Sequence, residues 1–364
     1  MVIYLTDSLI TEDPKKIQDI KACIRNLCIA HSESKHLLFG DLEVLKWGMD
    51  NIGDETSKVV LARLIQEFSF SAISGDITEY VEVGDWQKKT IKIKDYRVTH
   101  MVPYKFFTDS GHCQMTNIIG EDENDVKLYV HILNWYTASK NYFFRYKREH
   151  GGGATMGRKI TTTMQSDGFA IAIVDTDMRF CGDKIENNST CYRCLEAYKA
   201  EHGKSVLRLY TLHVHEIENI LPFKIVEELY EGKTHISEFK ALLNLEDEVL
   251  RYFDIKKGIK LADGQKPEYR DFAKRCYSNN EALTAACEFS QKVAIWSADK
   301  TNREKQVLYP GLGGDVLKTV IAHYDTSDIG EVKPVLKPFQ KREWNAIGKH
   351  LLNYCIARPK EALN

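Results

Sequence analysis

Six carboxylates in three short segments carry the strongest chemical signal in this chain of 364 residues. Glu121 and Asp125 stand in IIGEDENDVKLY, Asp175 and Asp177 in AIVDTDMR, and Glu216 and Glu218, with Asn219 next, in LHVHEIENILP. Each segment follows or adjoins a run that reads as an apolar strand. A strand-to-helix turn puts Glu121 and Asp125 four residues apart on a helix's opening turn. Asp175 and Asp177 alternate along an extended chain, so their carboxylates share a face. Converging carboxylates repel one another, and a cation relieves the repulsion. Mg²⁺ suits such a set, because it wants hard oxygen ligands and keeps several waters. Two ions of this kind activate a water and stabilise the leaving oxygen in phosphodiester cleavage. A single acidic pair at a strand end is more often a helix cap or a solvated turn. Asp122, Glu123 and Glu149 read that way; three pairs in order do not.

The elements that must position these acids form three regions. Residues 1–113 read as α+β. Helical periodicity marks Ile17–Ala30 and Ser57–Phe70, and short strands follow at Glu79–Val83, Thr90–Ile93 and Tyr96–Met101. Residues 114–222 alternate. A strand at Gln114–Gly120 leads to a long helix over Asn124–Lys147 and a glycine-rich loop at Gly151–Gly157. An apolar strand at Gly168–Val174, a helix at Cys191–His202 and a strand at Ser205–His213 complete the region. Such alternation predicts a parallel sheet covered on both faces, with sites at the carboxyl ends of its strands. Residues 223–364 read as mainly helical. Their stripes are Leu283, Ala286, Phe289, Val293 and Trp296, and then Trp344, Ile347, Leu351, Leu352 and Cys355.

Composition narrows the function classes. The chain is 43% hydrophobic and 28% charged, which excludes disordered and collagen-like classes. A net charge of -2 excludes a coat protein for nucleic acid, so any such contact must come from a local patch. No run is long enough for a membrane span, and no secretory signal is visible. Nine scattered cysteines read as reduced thiols, and the expected location is the cytoplasm.

Several further motifs bear on chemistry. GGATMGRK resembles a phosphate-binding P-loop, but Arg158 follows Gly157 and no Ser or Thr stands where the metal ligand would. A loop presenting Arg158 and Lys159 to a phosphate backbone is the better reading. Just upstream, Lys140, Arg145, Lys147 and Arg148 alternate with aromatic rings, as nucleic acid or a solvated helix face would require. Cys191-x-x-Cys194, with Cys181 and several histidines nearby, is only one tight ligand pair, so structural zinc is disfavoured. Lys256 and Lys257 in FDIKKGIK are candidates to meet a phosphate.

The order Gly120-Glu121-x-x-x-Asp125, a glycine-rich loop with Lys159, Asp175-x-Asp177 and Glu218-Asn219 resembles the TOPRIM domain. The nearest variety is that of OLD-family nucleases and related TOPRIM effectors of bacterial phage defence. The resemblance covers residues 115–222 and implies a Rossmann-like parallel core with Mg²⁺ or Mn²⁺ as cofactor. It implies Glu121 as ligand or general base, Asp125, Asp175 and Asp177 as metal ligands, and Glu218 at a second metal position. Whether Glu216 or Glu218 faces the metal stays open. Lys159, or Lys256 and Lys257, would offset charge on the phosphate. The implied function is metal-dependent cleavage of DNA or RNA in antiviral defence, under a separate ABC-type ATPase or sensor. A TOPRIM RNA-maturation ribonuclease and a non-catalytic interaction subunit are the alternatives, and self-association stays open.

Overall fold

The computed structural model describes residues 1–67, 75–166, 168–203, 205–260, 267–278, 307–326 and 335–358. Its contacts divide the chain into two compact units. One joins Met1–Ile173, Arg193–Tyr210 and Ile347–Asn364; the other joins Val174–Tyr192 and Thr211–Ala346. These units cut across the sequence boundaries at 113/114 and 222/223.

In the first unit the opening sheet contains β1 (Val2–Leu5), β2 (Leu37–Gly40), β3 (Glu79–Gly84), β4 (Thr90–Lys94) and β5 (Arg97–Pro103), in the order β2-β1-β3-β5-β4. The pairs β1–β2, β1–β3 and β3–β5 are parallel, and only β4 is antiparallel to its neighbour. The expectation of an α+β region is corrected here: helix α1 (Pro14–Ser32) lies between β1 and β2, and helices α2 (Leu42–Asn51) and α3 (Glu55–Glu67) between β2 and β3, as crossovers of parallel strands do, while β4 alone joins β3 to β5. Helix α1 starts where Asp13 accepts the Lys15 N–H at 2.9 Å and Pro14 supplies a preset φ. Ile20, Cys23, Ile24 and Leu27 then bury one helical stripe.

The second sheet has the order β10-β9-β6-β8, with β6 (Thr116–Gly120) parallel to both β8 (Tyr146–His150) and β9 (Phe169–Val174). Strand β10 is Val206–Thr211. Every residue of β9 is fully buried, which is why FAIAIV carries no polar side chain. Helix α4 (Glu123–Thr137) connects β6 to the two-residue strand β7 (Phe143–Phe144) and to β8. A helix reaching Lys147 is thus corrected. Tyr142–Arg148 is rich in aromatics, which favour strands, and β7 pairs with β13 (Ile356–Ala357). Helices α5 (Met156–Ser166) and α6 (Thr190–Glu201) complete the alternation, so the α/β class with a parallel sheet holds.

The second unit is built mainly from α7 (Phe223–Leu229), α8 (Ile236–Leu242), α9 (Asp247–Tyr252), α10 (Pro267–Ser278) and α11 (Val316–Thr326). A short pair, β11 (Ile259–Lys260) and β12 (Val307–Tyr309), lies among them. Helix α12 (Pro338–Cys355) buries Trp344, Ile347, Leu351, Leu352 and Cys355, the stripe its period predicts. Each such side chain adds about 1.5–3 kcal/mol of hydrophobic stabilisation. The stripe expected from Leu283 to Trp296 lies outside the described residues. Among the described residues, no helix is long and apolar enough to cross a membrane.

Candidate metal centre

Three loops of the second unit are tied together by backbone. Beyond β9, Val174 accepts the Leu212 N–H at 3.0 Å, the Thr176 hydroxyl donates to the Val214 carbonyl at 2.7 Å, and Asp177 N–H donates to the His215 carbonyl at 3.0 Å. His215 N–H in turn donates to the Arg251 carbonyl at 2.8 Å. Asn219, wholly buried, donates to the carbonyls of Leu250 and Phe253, both at 2.8 Å, and accepts the Glu216 N–H at 3.0 Å. Asn219 is therefore the clasp that holds the acids at 216 and 218 against the turn at 254–258. The strand reading of residues 175–177 is corrected: β9 ends at Val174, and Asp177 has φ +55°. A side chain there costs of order 1 kcal/mol and persists only where its surroundings enforce it.

The Lys256–Lys257 turn is set by glycine. Gly258 has φ +71°, and a Cβ on it would lie 2.0 Å from the Tyr309 carbonyl oxygen. A Cβ on Gly311 would lie 2.4 Å from the Lys256 oxygen. The turn and the chain after β12 thus touch backbone to backbone. Gly313 N–H donates to the Lys256 carbonyl at 3.0 Å, and Lys257 N–H donates to Asp254 Oδ1 at 2.7 Å.

This scaffold gathers charge. Lys256 Nζ stands 2.8 Å from Glu216 Oε2 and 3.3 Å from Glu218 Oε2. Lys257 Nζ lies 3.5 Å from Glu216 Oε1 and 3.8 Å from Asp254 Oδ2. His215 Nδ1 lies 2.9 Å from the Met178 carbonyl, which can only accept, so Nδ1 carries a proton. Nε2 then points at Asp254 Oδ2, 3.7 Å away, and Glu216 Oε1, 3.9 Å away. One ligand atom from each of His215, Glu216 and Asp254 falls within 4.8 Å of the other two. Asp175 adds its field to that of the other acids at Lys256.

Burial governs the protonation here. It pushes Glu218 up to about 7, with the Glu216 carboxylate adding to the rise and Lys256 opposing it. Asp177 is also raised, first by loss of water and then by Glu216. Burial alone would lower Lys256, yet the Glu218 and Glu216 carboxylates outweigh it and hold the ammonium above its usual range. The cluster opens on a cleft of about 480 Å³, lined by Asp177, His215, Glu216, Asp254 and Lys257. Arg179, Lys184 and Lys260 also line this cleft, as does Glu186, which Arg179 meets at 3.4 Å. Carboxylates and an imidazole with a basic wall suit a cation and a phosphate together.

The acids and cations of the first unit have their own settings. Glu121 leaves the carboxyl end of β6, where the strand order reverses between β8 and β9. Its carbonyl accepts N–H groups of Gly152 at 3.0 Å and Gly153 at 3.3 Å, so the glycine loop is docked on the strand end. That loop joins β8 to α5, a strand-to-helix connection, whereas the sequence reading places it after a helix and before a strand. Asp125 Oδ2 accepts the Asp122 N–H at 2.9 Å and completes a capping box on α4. Lys159 is ion-paired with Glu149 at 2.7 Å. Lys140 is paired with Asp76. Arg145, Arg148 and Arg158 are exposed and Lys147 is half-buried, with Lys147 and Arg148 on the strand β8 and not on a helix face. Cys191 and Cys194 are buried on α6, and Cys181 is exposed.

Sequence reasoning passed over Asp254 as a ligand and weighed His215 among the histidines near the cysteine pair. The adjacent Asp254-x-Lys256-Lys257-Gly258 turn was the available signal, since a lysine pair before a glycine marks a tight charged turn. Compared with protein-family models, curated proteins and solved structures, the chain matches none of them.

Proposed function

We propose that this chain is a divalent-metal-dependent phosphodiester hydrolase of the TOPRIM nuclease type, acting on DNA or RNA. The observation that carries the reading is the convergence of His215, Glu216 and Asp254 beside Lys256 and Lys257, opening on a cleft that Arg179, Lys184 and Lys260 also line. A bound divalent ion would supply Lewis-acid stabilisation of charge on the phosphate oxygens. His215 would present Nε2, and Glu216 and Asp254 one oxygen each. A mixed imidazole and carboxylate set suits Mn²⁺ better than Mg²⁺, which prefers oxygen alone. Lys257 and the cleft residues Arg179, Lys184 and Lys260 would bind and orient the phosphates. Glu218, held near 7 by burial, can take up or release a proton at neutral pH. Glu121, Asp125, Asp175 and Asp177 keep the ligand roles the resemblance implies, and Lys159 keeps its role toward the phosphate; all are open to substitution one at a time. Control by a separate ATPase or sensor rests on the resemblance alone.

The test is incubation of the purified chain with Mn²⁺ or Mg²⁺ and plasmid, single-stranded DNA or tRNA. Metal-dependent cleavage that Asp254→Asn abolishes is expected. Equal degradation by wild type and variant would show that the acids and lysines are a structural ion network and nothing more.

A further inference from the structure

The first unit holds a second concavity, of about 950 Å³, whose lining includes none of the acidic segments. Part of its wall is the chain leaving β3, at Asp85–Lys89, and the end of the parallel neighbour β5 with the chain leaving it, at Val102–Phe106. The opening turns of α1 supply Asp13, Lys15, Lys16 and Asp19. Helix α1 follows β1, which lies between β2 and β3, so the strand order reverses here. Open parallel sheets bind ligands outside their carboxyl ends at such reversals.

The lining is cationic: Lys15, Lys16, Lys88, Lys89 and Lys105 outnumber Asp13, Asp19 and Asp85. Lys16 is paired with Asp85, and Lys89 Nζ donates to the His202 carbonyl at 2.9 Å. The ammonium groups of Lys15, Lys88 and Lys105 have no ion-pair partner among the described residues. Two aromatic rings, Trp86 and Phe106, share the wall. The indole is seated against the end of β3, where a Cβ on Gly84 would lie 2.6 Å from Trp86 Cε2. Trp86 Nε1 is buried and has no hydrogen-bond partner among the described residues.

We propose that this concavity binds a free nucleotide, with Lys15, Lys88 and Lys105 on the phosphates and Trp86 or Phe106 against the base. Ammonium groups without an ion-pair partner around one hollow attract an anion, and an aromatic wall offers stacking for a base. The volume falls within the roughly 300–1,000 Å³ usual for small-molecule sites. A polynucleotide would need a continuing track of cations, whereas Asp13 and Asp19 interrupt the positive rim along α1. The proposal is independent of the metal centre.

The experiment is isothermal titration of the whole chain with ATP in EDTA, which keeps the acids of the second unit from recruiting phosphate through a metal. Adenosine, inorganic phosphate and a short single-stranded oligonucleotide are the comparison probes. ATP should bind, adenosine should bind at least about tenfold more weakly, and Lys88→Glu with Lys105→Glu should cost at least about tenfold. Both lysines are exposed, so that variant should fold, and a thermal melt checks it. Trp86→Leu should weaken ATP more than inorganic phosphate. No ATP binding at millimolar concentration, or binding unchanged in the lysine variant, overturns the proposal. An oligonucleotide that binds more tightly than ATP with the same lysine dependence also overturns it, in favour of a nucleic-acid surface.

Discussion

Lys256 and Glu216 meet at 2.8 Å, and the Glu216 side chain is only 7% exposed. The same ammonium serves Glu218, 3.3 Å away, so one positive charge faces two buried acids and offsets only part of their charge. Where a lysine does this work a divalent ion can compete for it, because both satisfy the same oxygens. The pairing offsets part of the repulsion among the acids gathered here, Glu216 and Glu218 directly and Asp175 through its field.

Lys256→Met should therefore destabilise the metal-free chain, by about 3 kcal/mol, since removing one partner of a buried pair strands the others. Mn²⁺ should restore more stability to the variant than it adds to wild type, through ligand linkage. Thermal melts with and without Mn²⁺ read both effects. A variant no more responsive to Mn²⁺ than wild type would show that the acids do not form a cation site.

Asp177→Asn keeps a side chain that tolerates φ +55° and removes only the charge. Its melting temperature should match or slightly exceed that of wild type, because Glu216 no longer repels it. Metal-dependent cleavage should fall at least about tenfold, a change of about 1.4 kcal/mol in the barrier. Activity retained with stability lost would make Asp177 a loop-shaping residue and not a ligand.

Two glycines with left-handed φ should behave differently. Gly258→Ala collides with the Tyr309 carbonyl as well as straining φ, so it should displace Lys256 and Lys257, destabilise the second unit and abolish cleavage. Gly153→Ala, at φ +57°, meets nothing within 4 Å and should cost only about 1 kcal/mol. Denaturant titration of the two variants, alongside cleavage assays, checks the contrast.

Acid should destabilise the fold below pH 6.5. His31 is buried and its Nδ1 accepts the Leu38 N–H at 3.1 Å, so it is neutral. Burial, with Arg358 assisting, lowers it to about 4. His350 is likewise lowered to about 4, by burial first and then by Arg208. Between 6.5 and 4 the unfolded chain binds protons that the folded chain refuses, so stability is full above 6.5 and drains as pH falls. Each histidine contributes roughly 2–3 kcal/mol over that span. Glu79 extends the loss further down: burial would raise it, but His100 and Arg208 hold it at about 2. Urea midpoints from pH 7.5 to pH 4.5 measure the slope, which should be shallower in His31→Gln.

Local order was legible wherever one periodicity had no rival. The α12 stripe from Trp344 to Cys355 and the apolar run of β9 could each be read by inspection, because burial on one face or on both imprints itself directly on residue type. Tyr142–Arg148 was not legible, because its charges recur at spacings that suit a helix while its aromatics suit a strand. Pairing of β7 with β13, more than 200 residues later in the chain, decided the matter. The acids at 175–177 and 216–218 announced themselves by type and order. Their partners did not: Asp254 lies 36 positions beyond Glu218 and reaches the centre because Asn219 bonds Leu250 and Phe253 and the His215 N–H bonds the Arg251 carbonyl. Long-range convergence of this kind leaves no local pattern, since it depends on backbone contacts and not on side-chain periodicity. The same holds for the lysine-lined hollow, whose residues are spread from Asp13 to Gly203 and gather only because parallel strands deliver their carboxyl ends to one side.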